Sequence, residues 1–212
     1  MHYSDSELAP RALYNAGEIN YRYLKDYDGA VYAFRKLLGS YSWSEFCPSA
    51  QGQLADIYMY KLQDYKQAII EYQKAISHFG RKKESERFQY EIAMAYFNLM
   101  NFGQQRVELN LLLKSFPETE LKPDAYLAMA NSYFIEGMLE DAAASYKKVI
   151  ELFPDTGYAV ESKFKLAATL EEKENLRGSL KLLNEIKVVY PNPEVIKYSI
   201  ERVKKRLKIR RR

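Results

Sequence analysis

The sequence predicts an all-α fold, a solenoid of five helical hairpins closed by a C-terminal helix. Three observations predict it. Pro117, Pro154 and Pro191 are each 37 residues apart and end similar phrases: Lys-Ser-Phe-Pro117, Glu-Leu-Phe-Pro154 and Val-Val-Tyr-Pro191. Between them, small and large apolar residues recur at three- and four-residue spacing, the mark of amphipathic helices. A turn divides each period into two such stretches, as Glu136-Gly137-Met138-Leu139-Glu140 does in the fourth.

The fourth period sets the pattern: Ala130, Tyr133, Ala142, Tyr146, Val149 and Pro154. The same offsets give Ala93, Tyr96, Gln105, Leu109, Leu112 and Pro117 in the third, and Ala167, Leu170, Ser179, Leu183, Ile186 and Pro191 in the fifth. Two earlier copies carry one extra residue between their halves. They read Ala55, Tyr58, Ala68, Tyr72, Ala75 and Gly80, and before that Gly17, Tyr21, Ala30, Phe34, Leu37 and Ser42. Small residues let two helices approach, large ones fill the space beside them, and proline stops the second helix. A single hairpin cannot bury its apolar face alone, so neighbours must stack. The expected organisation is one domain over residues 1–212, with repeats at about 8–44, 45–82, 83–119, 120–156 and 157–192.

Solenoid ends need covering. Ile196, Ile200, Val203 and Leu207 form one helical stripe, opposite Lys197, Lys204, Lys205 and Lys208, so residues 193–212 read as a capping helix and basic tail. At the other end, Ser4 to Glu7 offer N-cap candidates.

The composition argues against chemistry. Hydrophobic residues make up 47% of the 212, enough for a core. A single Cys and two His exclude a disulfide framework and leave little for metal or acid–base work. No phosphate-binding glycine loop, HExxH, CxxC or nucleophile elbow occurs. Cys47 reads as a partly buried small residue with no His near it, and His78 as a helix-end residue. Glu171, Glu172 and Glu174 read as a solvated face. The chain is therefore expected to be no enzyme, with no cofactor, metal or small-molecule substrate. Its longest apolar run, Ile92 to Met100, is too short to span a membrane. Without a signal-like start, a cytoplasmic location is expected; the alternative is an envelope location with a signal removed.

Tyr126, Ala130, Tyr133, Gly137, Ala142, Tyr146 and Pro154 resemble a complete tetratricopeptide repeat (TPR). The resemblance extends over about residues 8–192 and implies a right-handed superhelical α-solenoid. The usual period is about 34 residues. The longer one here, with its Phe-Pro ending, is similar to that of bacterial adaptor and envelope-assembly TPR proteins, such as the lipoprotein subunit of the β-barrel assembly machine, pilotins and cell-division coordinators.

The resemblance also implies that the first helix of each hairpin lines a concave groove holding a partner peptide or amphipathic helix. Relative to the small residue of that helix, groove positions fall at −6, −3, +1, +4 and +5. The third repeat then supplies Arg87, Tyr90, Met94, Phe97 and Asn98, and the fourth Asp124, Leu127, Asn131, Phe134 and Ile135. The fifth supplies Glu161, Phe164, Ala168, Glu171 and Glu172; the second, Ser49, Gly52, Asp56, Met59 and Tyr60; the first, Arg11, Tyr14, Glu18, Tyr21 and Arg22. Such a groove is apolar and aromatic at its centre, suited to desolvating a partner segment, with Asn98 and Asn131 able to bond its backbone. The Lys and Asn clamp for acidic C-terminal tails is not matched, because Leu127 and Tyr90 stand where its Lys would be.

Residues 202–212 hold Arg202, Lys204, Lys205, Arg206, Lys208, Arg210, Arg211 and Arg212 with no acidic residue between them. They are a candidate contact for nucleic acid, anionic lipid or an acidic protein. No aromatics interleave them, so the expected role is the solvated face of the capping helix. The formal net charge of +4 is uneven: the remaining 201 residues hold 24 basic and 28 acidic groups.

Overall fold

A computed structural model of the chain describes residues 8–80 and 82–210. Among the described residues all regular structure is helical. The helices are α1 (Leu8–Ile19), α2 (Tyr27–Ser40), α3 (Cys47–Ile57), α4 (Tyr65–Phe79), α5 (Lys82–Asn98) and α6 (Phe102–Ser115). They continue as α7 (Lys122–Ile135), α8 (Leu139–Leu152), α9 (Gly157–Glu172), α10 (Leu176–Ile186) and α11 (Pro193–Ile209). They form five hairpins, α1–α2 to α9–α10, followed by α11, among the described residues. The chain divides into two compact units, Met1–Pro117 with α1 to α6 and Glu118–Arg212 with α7 to α11. Ser4 to Glu7 lie outside the described residues.

The extra residue of the first two periods lengthens neither hairpin turn. It is absorbed in the helix, where α1 and α3 each end in a π-helical turn, Asn20–Leu24 and Tyr58–Leu62. One inserted residue widens a single turn of the i→i−4 ladder, which is how π turns arise.

All five hairpins then turn alike. One residue adopts the left-handed conformation: Lys25 (φ 57°), Gln63 (φ 53°), Met100 (φ 56°), Gly137 (φ 74°) and Glu174 (φ 58°). The next residue is the N-cap of the second helix. Asp26 accepts from the Gly29 N–H at 2.9 Å, Asp64 from Gln67 at 3.1 Å, Asn101 from Gln104 at 3.2 Å and Asn175 from Gly178 at 3.0 Å. Each satisfies an amide that the helix start leaves open. Met138 fills this place in the fourth hairpin and supplies no side-chain acceptor.

The core follows the small–large pattern. In the first unit Ala30, Phe34, Leu37, Ala55, Ala68, Tyr72 and Ala75 are buried in one cluster that extends to Phe88 and Ile92. The second unit buries Ala130, Ala142 and Tyr146 in one cluster, and Ala167, Leu183 and Ile186 with the α11 stripe Ile196, Ile200 and Val203 in another. Gly17 shows why the small position is needed: a Cβ there would lie 2.4 Å from the Phe34 ring.

Two hairpins of the first unit each carry a polar clasp, the first at a buried carboxylate and the second at a part-buried one. Glu71, inside α4, accepts from Gln51 of α3 at 2.7 Å and from Gln67 at 2.7 Å. One period on, Glu108 accepts from Gln89 and Gln104, both at 2.7 Å.

The structure corrects one expectation at the C-terminus. Glu171 is not on a solvated face; it is 5% exposed. Its carboxylate takes Arg202 Nη2 at 2.7 Å and Nε at 3.0 Å, and Arg206 Nη1 at 3.0 Å. Arg206 also pairs with Glu174, and Arg210 bonds the Glu174 carbonyl at 3.1 Å. The acidic cluster at the end of α9 and one row of basic residues on α11 thus form a clamp. It seats the capping helix alongside its apolar stripe.

Candidate functional site

The first helices of the first unit place their proposed groove residues as follows. Tyr14 of α1 is half-buried, stacks on Phe46 at 5.1 Å and accepts from Gln53 at 2.9 Å. Tyr21, in the π turn, lies 6.3 Å from Tyr27. Glu18 accepts from Arg22 at 2.6 Å through one oxygen. Its other oxygen and the Gln53 side-chain oxygen are buried with no hydrogen-bond partner.

Between α3 and α5 the face is polar and aromatic. Asp56 accepts from the Tyr72 hydroxyl at 2.6 Å and from Arg87 at 2.9 Å. Arg87 lies 4.7 Å over the Phe88 ring. Tyr60 is 51% exposed, and its hydroxyl donates to Glu91. Burial pushes the Glu91 carboxyl above its ordinary range; Asp56 adds to the rise, and the Tyr60 hydroxyl and Arg87 oppose it. Tyr90 and Met94 are half-buried, Phe97 meets Phe102 edge-on at 5.6 Å, and Asn98 is exposed.

In the second unit, Leu127 and Phe134 of α7 are half-buried against the core. Asn131 accepts from the Tyr146 hydroxyl at 2.7 Å, and Asp124 from Tyr158 at 2.9 Å. Ile135 is 49% exposed. Phe164 of α9 stacks on Tyr190 at 4.7 Å.

A rule emerges that the sequence offsets did not separate. The +5 residues Arg22, Tyr60, Asn98, Ile135 and Glu172 are exposed in every hairpin, whereas the +4 residues Tyr21, Met59, Phe97, Phe134 and Glu171 are half-buried or buried. Met59 is therefore a correction: at 4% exposed it is part of the core, because +4 side chains turn toward the second helix. Asn131 also spends its side-chain oxygen on Tyr146 rather than presenting it to a partner.

The basic tail is divided in the same way. Arg202, Arg206 and Arg210 serve the clamp, while Lys204, Lys205 and Lys208 are exposed. Arg211 and Arg212 lie outside the described residues.

Among the described residues, no three His, Cys, Asp or Glu converge as metal ligands. Cys47 is fully buried, its Sγ donates to the Tyr41 carbonyl at 3.1 Å, and burial raises its pKa. His78 is exposed at the end of α4 and borders a cleft of about 660 Å³ that Arg35, Lys74 and Phe79 also line. No described helix is long and apolar enough to cross a membrane.

Comparison with known proteins agrees with the hairpin pattern. A tetratricopeptide repeat model matches residues 48–77 and 123–156, and a second such model matches residues 11–42. No curated protein matches the chain significantly. Among solved structures, a tetratricopeptide repeat protein from Parabacteroides merdae ATCC 43184 is 14% identical, with a TM-score of 0.71 over 92% of this chain and 72% of that one. YrrB, a TPR protein with an unusual peptide-binding site, is 17% identical, with a TM-score of 0.63 over 89% and 90% of the two chains. MamA from Desulfovibrio magneticus RS-1 is 13% identical, with a TM-score of 0.64 over 85% and 94%. At these identities the likeness is one of fold.

Proposed function

Because the chain is a tetratricopeptide-repeat protein, we propose that it is a non-catalytic scaffold that holds a peptide or amphipathic helix of another protein on the first-helix face of its hairpins. The observation that carries this reading lies in the first unit, where the +5 residues Tyr60 and Asn98 are exposed and Tyr14 and Tyr90 of the first helices are half-buried. Half-buried aromatics present area at little entropic cost, and exposed neighbours complete a surface that a partner can desolvate. The peptide-binding site of YrrB supports the same reading by analogy of fold.

Capture of the partner from a lysate of the source organism tests it. Tyr60→Ser and Asn98→Ala combined leave the helical content unchanged, because both side chains are exposed. They are expected to weaken binding roughly 10- to 100-fold. Undiminished recovery of the same partner by the double variant contradicts the proposal.

A further inference from the structure

The first helix of a later hairpin docks on its predecessor through one repeated face. On α3 this face is Cys47, Ala50, Leu54 and Ile57, on α5 Ser85, Phe88, Ile92 and Ala95, and on α9 Ala159, Ser162, Leu166 and Thr169; all are buried. Each lies against the second helix of the hairpin before it, α2, α4 and α8 respectively. The corresponding residues of α1, one period earlier, are Ala9, Ala12, Ala16 and Ile19. Here Ala12 and Ala16 are exposed, Ile19 is 48% exposed, and Tyr23, one turn further, is 77% exposed. The face that seats every other hairpin within its unit is thus open on α1.

We propose that this face docks on α1 of a second copy of the chain, antiparallel, about a two-fold axis near Ala16. The residue sizes point to that occupant. The stripe is small in its first half, with Ala9, Ala12 and Ala16, and large in its second, with Ile19 and Tyr23. Antiparallel pairing sets the large half of one helix over the small half of the other, which is the self-complementarity a two-fold interface requires. Alanines at the crossing let the axes approach to about 8 Å. With its π turn the helix is about 25 Å long at 1.5 Å per residue. A helix pair of that length buries less than the roughly 800 Å² per partner of a stable dimer. The association is therefore weak and reversible, in the micromolar range.

Sedimentation velocity on the full chain between about 5 and 500 µM tests this, a range that brackets such an affinity. The expected result is a concentration-dependent shift from monomer to dimer that weakens at least tenfold in Ala16→Glu and in Tyr23→Ser. It is unchanged in Lys204→Glu on α11. Ala16→Cys, close to the axis, is expected to form an intermolecular disulfide under mild oxidation, whereas Ala144→Cys, at an exposed position of α8, is not. Native Cys47 is buried and does not compete. A monomer throughout the range overturns the proposal, and so does a dimer that Ala16→Glu and Tyr23→Ser leave intact.

Discussion

Gln105 stands where other hairpins carry Ala30, Ala68, Ala142 and Ser179. It is 1% exposed, and neither atom of its amide has a hydrogen-bond partner. A buried, unsatisfied amide costs about 1–3 kcal/mol. Gln105→Met keeps the volume and removes the polar group, so the urea midpoint is expected to rise by the equivalent of about 1–2 kcal/mol. A midpoint that stays or falls argues that an ordered water satisfies the amide. Gly17 makes the opposite case, because a methyl group there meets Phe34. Gly17→Ala is expected to lose about 1 kcal/mol or more in the same measurement, despite alanine's better helix propensity. Both positions were legible in the sequence as members of the small-residue series. The burial of Met59 was not, because sequence offsets alone do not separate +4 side chains, which turn toward the second helix, from +5 side chains. Tyr60, one residue on, stays exposed.

At the scale of elements, the all-helical hairpin pattern was legible in the three- and four-residue apolar spacing. The caps followed from nothing the period itself required. Asp26, Asp64, Asn101 and Asn175 are spaced by 38, 37 and twice 37 residues and would have marked four of the second helices. The fourth hairpin lacks this cap, so Met138→Asp is expected to add about 1 kcal/mol, seen in thermal unfolding. The clamp between α9 and α11 was hidden for a different reason: Arg202 and Glu171 are 31 residues apart, and only the folded chain brings them together. Burial alone would raise the Glu171 carboxyl; the hydrogen bonds and charges of Arg202 and Arg206 outweigh it and lower its pKa below the ordinary 4.5. A carboxyl with a depressed folded pKa adds stability above its unfolded pKa and loses it as pH falls through the folded value. Glu171→Gln is therefore expected to cost roughly 1–3 kcal/mol at neutral pH, at the lower end because both arginines reach solvent. Denaturation curves of variant and parent should converge as pH falls below about 4.5. A difference that persists undiminished at acid pH means the clamp acts by packing alone.

At the scale of the molecule, the second unit carries two hairpins, a seated cap and its own buried clusters. Residues 118–212 alone are expected to unfold in a single cooperative transition with substantial helical circular dichroism; a gradual, featureless melt contradicts this. The period also explains why charge was a poor guide to function. Arg202, Arg206 and Arg210, three of the eight basic residues at that end, pair with Glu171 and Glu174 and hold α11 in place. Docking of a partner on the first-helix face is best checked with a photoreactive side chain at position 60, compared with one at the similarly exposed Ile70 on α4. In a lysate of the source organism, a discrete crosslinked partner is expected from position 60 and none of that partner from position 70. Crosslinking of the same partner from position 70 alone, or equally from both, would contradict it.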